Sequence, residues 1–201
     1  STWDYHAHTG ILRHLVVRES KTHGGFLLML SVSEPIPTLL TELAHTLSVG
    51  DLTQTLPIRG LVQSVHAEAS DHSLAMDTSL IAGSPIITET ILNTTFKIAI
   101  NAFFQTNTHQ AEVLFQTLLD VAEFKPSDRV LDLYCGAGTI GLLVAPHVQH
   151  VIGIESIPEA IENAKQNAVD NGITNCEFYA GRVKNLLKFN RYDPDVIIVD
   201  P

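Results

Sequence analysis

The chain has 201 residues, of which 45% are apolar, enough to bury one large core or two small ones. Its formal net charge of −10 runs against the basic footprint of most nucleic-acid proteins. Two cysteines, Cys135 and Cys176, cannot build a disulfide framework and suggest a reducing, cytoplasmic setting. No uncharged apolar run reaches the roughly 18 residues of a membrane span, and residues 1–6 lack the basic start and apolar run of a signal peptide.

Along the chain, residues 11–18 and 26–32 read as two strands joined at His23-Gly24-Gly25, a hairpin. Residues 37–47 carry leucines at 39, 40, 43 and 47 behind Pro37, a helical stripe. Residues 61–67, 86–92 and 96–100 look like further strands, so residues 1–100 form an α+β domain of antiparallel type. The basic stretch Arg13, His14, Arg18, Lys21 and His23 is either a solvated strand face or a phosphate-contacting edge.

Beyond residue 107 the pattern alternates. Residues 108–124 form an amphipathic helix with Thr108 as its cap, and residues 130–134 form a buried strand. A helix at 139–145, a strand at 151–154 and a helix at 158–170 follow, the last closed by Asn171-Gly172. A strand at 176–179, a short helix at 183–187 and a strand at 196–199 complete the series. Such βα units build a parallel, doubly wound sheet. The fold class is therefore α/β, a Rossmann-like domain over residues 101–201 preceded by the smaller α+β domain.

The chemistry centres on Asp132-Leu133-Tyr134-Cys135-Gly136-Ala137-Gly138-Thr139-Ile140-Gly141. Gly136, Gly138 and Gly141 satisfy G-x-G-x-x-G, and Glu155 ends the next strand, where a carboxylate can hold a ribose diol. Alone this fits a dinucleotide site, an S-adenosylmethionine site or a plain strand-to-helix turn. An acid four positions before the first glycine and the ending Val199-Asp200-Pro201 favour S-adenosylmethionine over NAD. Gly136, Glu155 and Asp200 fall on three strand ends, where open α/β sheets bind ligands.

These residues, with Thr9-Gly10-Ile11-Leu12-Arg13-His14-Leu15 and Phe103-Phe104-Gln105-Thr106-Asn107, resemble the RNA (uracil-5-)-methyltransferases, which make 5-methyluridine in tRNA and ribosomal RNA. The resemblance spans nearly the whole chain. It implies a class I methyltransferase domain that binds S-adenosyl-L-methionine through Gln105, Tyr134, Gly136, Gly138, Glu155 and Asp200. Residues 1–100 become a central, RNA-facing domain, and rRNA or tRNA is the substrate rather than DNA or a membrane. Without the resemblance, Gln105 reads as a helix-flanking polar residue and Tyr134 as core. Arg182 departs from the pattern, since such sites place an acid or amide beside the adenine.

The implied reaction is covalent. A cysteine thiolate adds to C6 of uracil, C5 takes the methyl group, and a carboxylate base removes the C5 proton to release the enzyme. The base must leave its stack to react. By the resemblance, nucleophile and base lie beyond Pro201, so the catalytic domain is expected to be incomplete here and the 201 residues inactive alone. Cys135 and Cys176 read as structural. The upstream barrel and iron–sulfur cysteines of some members do not occur in these residues, and His6-Ala7-His8 lacks a third metal ligand. Strand 196–199 is expected as an open edge that pairs with another chain. Competing readings are an exocyclic-amine nucleic-acid methyltransferase, a non-catalytic S-adenosylmethionine- or RNA-binding module, and an NAD-type oxidoreductase.

Overall fold

The structure, a computed structural model, describes residues 1–66, 77–100, 102–189 and 192–200; Ala67 of the third expected strand and Pro201 of the Asp-Pro end lie outside them. In chain order the elements are β1 (Leu12–Glu19), β2 (Phe26–Val32), α1 (Pro37–Thr46), β3 (Ile58–Val65), β4 (Asp77–Gly83), β5 (Ile86–Ile91) and β6 (Thr94–Ala99). There follow α2 (Thr108–Val121), β7 (Arg129–Leu133), α3 (Thr139–Val144), β8 (His150–Glu155), α4 (Pro158–Asp170), β9 (Cys176–Ala180), α5 (Val183–Phe189) and β10 (Val196–Val199). Two compact units result, residues 1–88 with 99–101, and residues 89–98 with 102–201.

The first unit is a four-stranded sheet in the order β1-β2-β3-β4. Gly24 and Gly25, with φ of 67° and 91°, make the β1–β2 turn in a conformation that a side chain would strain. The purely antiparallel expectation is corrected here, because β2 and β3 pair in parallel, with Leu28 opposite Leu61. The reason is α1, which carries the chain back to the starting end of the sheet before β3 begins. The leucine stripe also resolves differently: Leu40 and Ala44 are buried on β2 and β3, whereas Leu39 and Leu43 are exposed. Strand β4 escaped the sequence reading because its polar start, Asp77-Thr78-Ser79, gives no apolar period.

Arg13 belongs to this unit's interior. It is 8% exposed, its guanidinium lies 4.4 Å from the centre of the Trp3 ring, and it donates to the His66 carbonyl at 2.6 Å. Of the basic stretch, this member serves packing.

In the second unit the sheet order is β10-β7-β8-β9, all parallel. Its core joins Val130 and Val151 to Val144 at the end of α3 and to Ala145 and Val148 just after it. The cap of α2 is Asn107 rather than Thr108, its side-chain oxygen accepting from Gln110 N at 3.1 Å. Helix α2 and β10 enclose an apolar hollow of about 410 Å³ lined by Leu114, Leu118, Val121, Val196 and Ile198 among others. Strand β10 pairs with β7 on one side and, among the described residues, with no strand on the other.

Asn167 of α4 and Asn171, which caps the C-terminus of that helix, close the hydrogen-bonding edge of β6. Asn167 Oδ1 accepts from Lys97 N at 2.8 Å and its amide donates to Lys97 O at 3.3 Å. One turn later Asn171 repeats the pattern on Thr95, at 2.9 and 2.7 Å. The spacing of four along a helix puts both amides on one face, where they imitate a neighbouring strand. Asn167 is fully buried, so its loss leaves the part-buried N–H and C=O of Lys97 without these partners, at about 1–3 kcal/mol each. Asn167→Ala is expected to lower urea-unfolding stability by about 2–4 kcal/mol, while Gln166→Ala on the exposed side of α4 stays within about 0.5 kcal/mol. Equal effects of the two substitutions would contradict the edge-closing role.

Candidate functional site

Strand register brings the expected residues to one level. Val199, Leu133 and Ile154 share a rung across β10, β7 and β8. Asp200, Tyr134 and Glu155 are the next residues on each strand, so they line one carboxyl edge, with neighbours about 5 Å apart. Glu155 pairs onward with Ala180 at the end of β9.

The chain leaves β7 through a tight turn. Tyr134, Gly136 and Gly138 have φ of 65°, 54° and 77°, and the amides of Tyr134 and Cys135 both donate to Ile154 O, at 2.8 and 3.1 Å. A tyrosine in the left-handed region is strained by about 1–3 kcal/mol; here its ring is 46% exposed at the strand tip instead of in the core. The glycines divide the work. A side chain at Gly136 would meet nothing within 4 Å, so the space before it is open to a ligand. A Cβ at Gly138 would lie 2.9 Å from Ala164 and 3.0 Å from the Phe178 ring, so there the glycine lets α3 seat on α4 and β9.

Glu155 faces this turn. Its Oε1 accepts from Ser156 N, Ser156 Oγ and Ile157 N at 2.5, 2.8 and 3.0 Å, which fixes the carboxylate ahead of α4. Its Oε2 has one long contact, 3.3 Å from Gly136 N, and keeps acceptor capacity for a diol. Gln105 lies half-buried in the irregular segment before α2, and among the described residues no hydrogen bond ties it to the strand tips. Tyr134, Gly136, Gly138, Glu155 and Asp200 thus lie at the strand ends and in the turn that follows β7.

Asp132 emerges as a structural partner of the turn. Fully buried on β7, it accepts from Gly141 N at 3.0 Å through Oδ2, while Oδ1 has no partner. Burial pushes its carboxyl up to about 7; the Gly141 amide opposes that shift and the charge of Asp200 adds to it. Position four before the glycine was the only sequence signal of this role. Neither cysteine offers a ready thiolate. Burial drives Cys135 far above the usual thiol range and Cys176 up to about 12, with Asp132 adding to both. Among the described residues, no three His, Cys, Asp or Glu side chains gather as a metal site, and no helix is long and apolar enough to cross a membrane.

Known proteins share this arrangement. Residues 124–200 match the family described as a methyltransferase domain. An uncharacterized RNA methyltransferase of Clostridium tetani is 38% identical over 195 residues, covering 97% of this chain and 42% of that protein. A counterpart in Clostridium acetobutylicum is 39% identical over 195 residues, with 96% and 42% covered. The chain therefore spans less than half the length of these relatives. Among solved structures, the tRNA (uracil-54, C5)-methyltransferase of Pyrococcus abyssi in complex with S-adenosyl-L-homocysteine superposes with a TM-score of 0.74 at 27% identity, over 99% of this chain and 46% of that one. The tRNA m1G37 methyltransferase of M. jannaschii, at 12% identity and a TM-score of 0.55 over 98% of this chain and 56% of that one, shares the fold alone.

The resemblance found in the sequence is shown by these matches, to RNA methyltransferases in sequence and to a tRNA uracil-C5 methyltransferase in structure. The second unit is a Rossmann-like methyltransferase domain. The domain match and the S-adenosyl-L-homocysteine-bound neighbour support S-adenosyl-L-methionine as its cofactor.

The buried Asp132 gives a test of the turn. Its carboxyl is raised on folding, so its contribution to stability is fully present below about pH 4 and is lost as pH rises through about 7. Thermal melts of the chain and of Asp132→Asn, which keeps an acceptor for Gly141 N, are expected to converge towards pH 4. The native protein should lose ground to the variant up to about pH 7 and hold a constant offset above. A pH-independent offset would contradict the raised carboxyl.

Proposed function

From a chain whose second unit is a Rossmann-like methyltransferase domain, we propose the cofactor-binding portion of an S-adenosyl-L-methionine-dependent RNA methyltransferase that methylates C5 of a uridine in tRNA or rRNA. The observation that carries the reading is the Glu155 carboxylate, pinned by one oxygen and turned by the other to the open side of Gly136. In this reading Glu155 takes the ribose hydroxyls, Tyr134 lies along the donor, and Gly136 and Gly138 shape the cradle for its amino-acid end. Asp200 lies beside the methyl group, and Gln105 joins the site from the segment before α2.

Charge favours this donor over a dinucleotide. Glu155 and Asp200 lie at neighbouring strand ends, and the buried Asp132 behind them feels the charge of Asp200. A sulfonium cation gains from such a field, whereas the two phosphates of NAD would be repelled by it. The uridine C5 assignment rests on the Pyrococcus abyssi likeness over 99% of this chain and on the Thr9–Leu15 and Phe103–Asn107 segments. With both thiols held protonated by burial, the nucleophile of that reaction falls to a residue outside these 201. The first unit is assigned to contact the RNA.

Calorimetry on the chain tests the cofactor reading: S-adenosyl-L-homocysteine is expected to bind and NAD is not. Glu155→Gln should weaken that binding about 10- to 100-fold, the worth of a charged hydrogen bond. NAD binding without S-adenosyl-L-homocysteine binding would overturn the reading. For the C5 assignment, the full-length protein acting on RNA carrying 5-tritiated uridine should release tritium in step with methyl transfer. Methylation with full retention of tritium would refute it.

A further inference from the structure

We infer that Phe178 on β9 is a positioning residue for the methyl donor, its ring setting where the glycine turn holds the ligand. The inference rests on the cofactor reading, because it concerns the turn that cradles the donor and not the donor's own contacts. Phe178 is 5% exposed and shares a rung with Gly153 of β8 and Asp132 of β7. Residues on one rung of a parallel sheet present their side chains to one face. Gly153 has none to present, so the ring leans across β8 towards the turn.

Glycines from three elements open onto that one ring. A Cβ at Gly153 would lie 2.5 and 2.8 Å from Phe178 Cδ1 and Cε1, and 2.9 Å from Cys135 Sγ. A Cβ at Gly138, in the turn, would lie 3.0 Å from both Cε1 and Cζ, and one at Gly141, in α3, 3.8 Å from Cε1. Cε1 is thus a neighbour of all three. Gly141 is itself anchored, its amide donating to Asp132 Oδ2 at 3.0 Å. Gly136 clears room for the donor, whereas Gly138 and Gly141, with Gly153 outside the motif, clear room for Phe178.

Close-packed interiors transmit strain, so the place of the ring is also the place of the turn. Cys135 reaches the same space over Gly153, and its chain neighbours are Tyr134 and Gly136, both assigned to the donor. A methyl group added at Gly153 has to displace Phe178 or Cys135, and either movement shifts the turn. Gly153 lies inside β8, where extended backbone suits alanine as well as glycine. Alanine there acts by volume alone, and a smaller residue at position 178 gives that volume back.

The test is calorimetry with S-adenosyl-L-homocysteine on the 201-residue chain and its variants, each paired with its urea-unfolding stability. Gly153→Ala is expected to weaken binding about tenfold or more, and Phe178→Leu several-fold. The double variant should bind at least about fivefold tighter than Gly153→Ala alone. Val148→Ala thins the core just ahead of β8, at the opposite end of that strand from the turn. It should lower stability yet keep binding within about twofold of the native chain, which separates positioning from stability. A folded Gly153→Ala chain that binds as tightly as the native one overturns the inference and leaves the cofactor reading intact, as does a double variant no tighter than Gly153→Ala. If Gly153→Ala does not fold, Phe178→Leu decides: native affinity overturns the inference and a several-fold loss supports it. Failure of the native chain to bind the ligand overturns the cofactor reading and the inference with it.

Discussion

The site depends on how the chain leaves β7. Within five residues, three adopt positive φ, and one of these, Tyr134, is not glycine. Such a turn persists only where its surroundings over-determine it. Two restraints do so: the carbonyl of Ile154 collects the amides of both Tyr134 and Cys135, and the buried Asp132 carboxylate holds Gly141 N in the first turn of α3. The close seating of Gly138 on Ala164 and Phe178 adds a third. Once the turn is fixed, Gly136 N lies 3.3 Å from Oε2 of Glu155, on the open side of the turn.

The electrostatics follow from the same geometry. Placing strand ends side by side collects carboxylates at one edge, and the deepest of them, Asp132, responds by holding its proton up to about pH 7. That keeps an uncompensated charge out of the core near neutrality while leaving Glu155 and Asp200 to set the field at the surface.

Much of the second unit is legible in the sequence, because buried parallel strands and their glycine turn leave local marks. Val130 to Leu133, the Asn171-Gly172 stop of α4 and Glu155 at the end of β8 all sit within a residue or two of where the pattern puts them. What the sequence hides is long-range. Nothing local says that Asn167 and Asn171 bond to β6 some 70 residues earlier, since an asparagine in a helix looks like surface until its partner is known. The parallel pairing of β2 with β3 is likewise a property of the α1 crossover, and Leu39 and Leu43 share a leucine stripe with Leu40 but not its burial. Arg13, read with its basic neighbours as either a solvated strand face or a phosphate-contacting edge, packs in the interior on Trp3. Gln105 came from resemblance alone, with no local signal to place it among the strand tips.

The central claim is that the edge formed by Tyr134, Glu155 and Asp200 holds the methyl donor. A crystal structure of the chain grown with S-adenosyl-L-homocysteine tests it most directly. The account predicts density with both ribose hydroxyls on the Glu155 carboxylate, the homocysteine end against Gly136, and the turn in its present conformation. Ligand bound elsewhere, or bound at this edge with Glu155 turned away from the ribose, would contradict it.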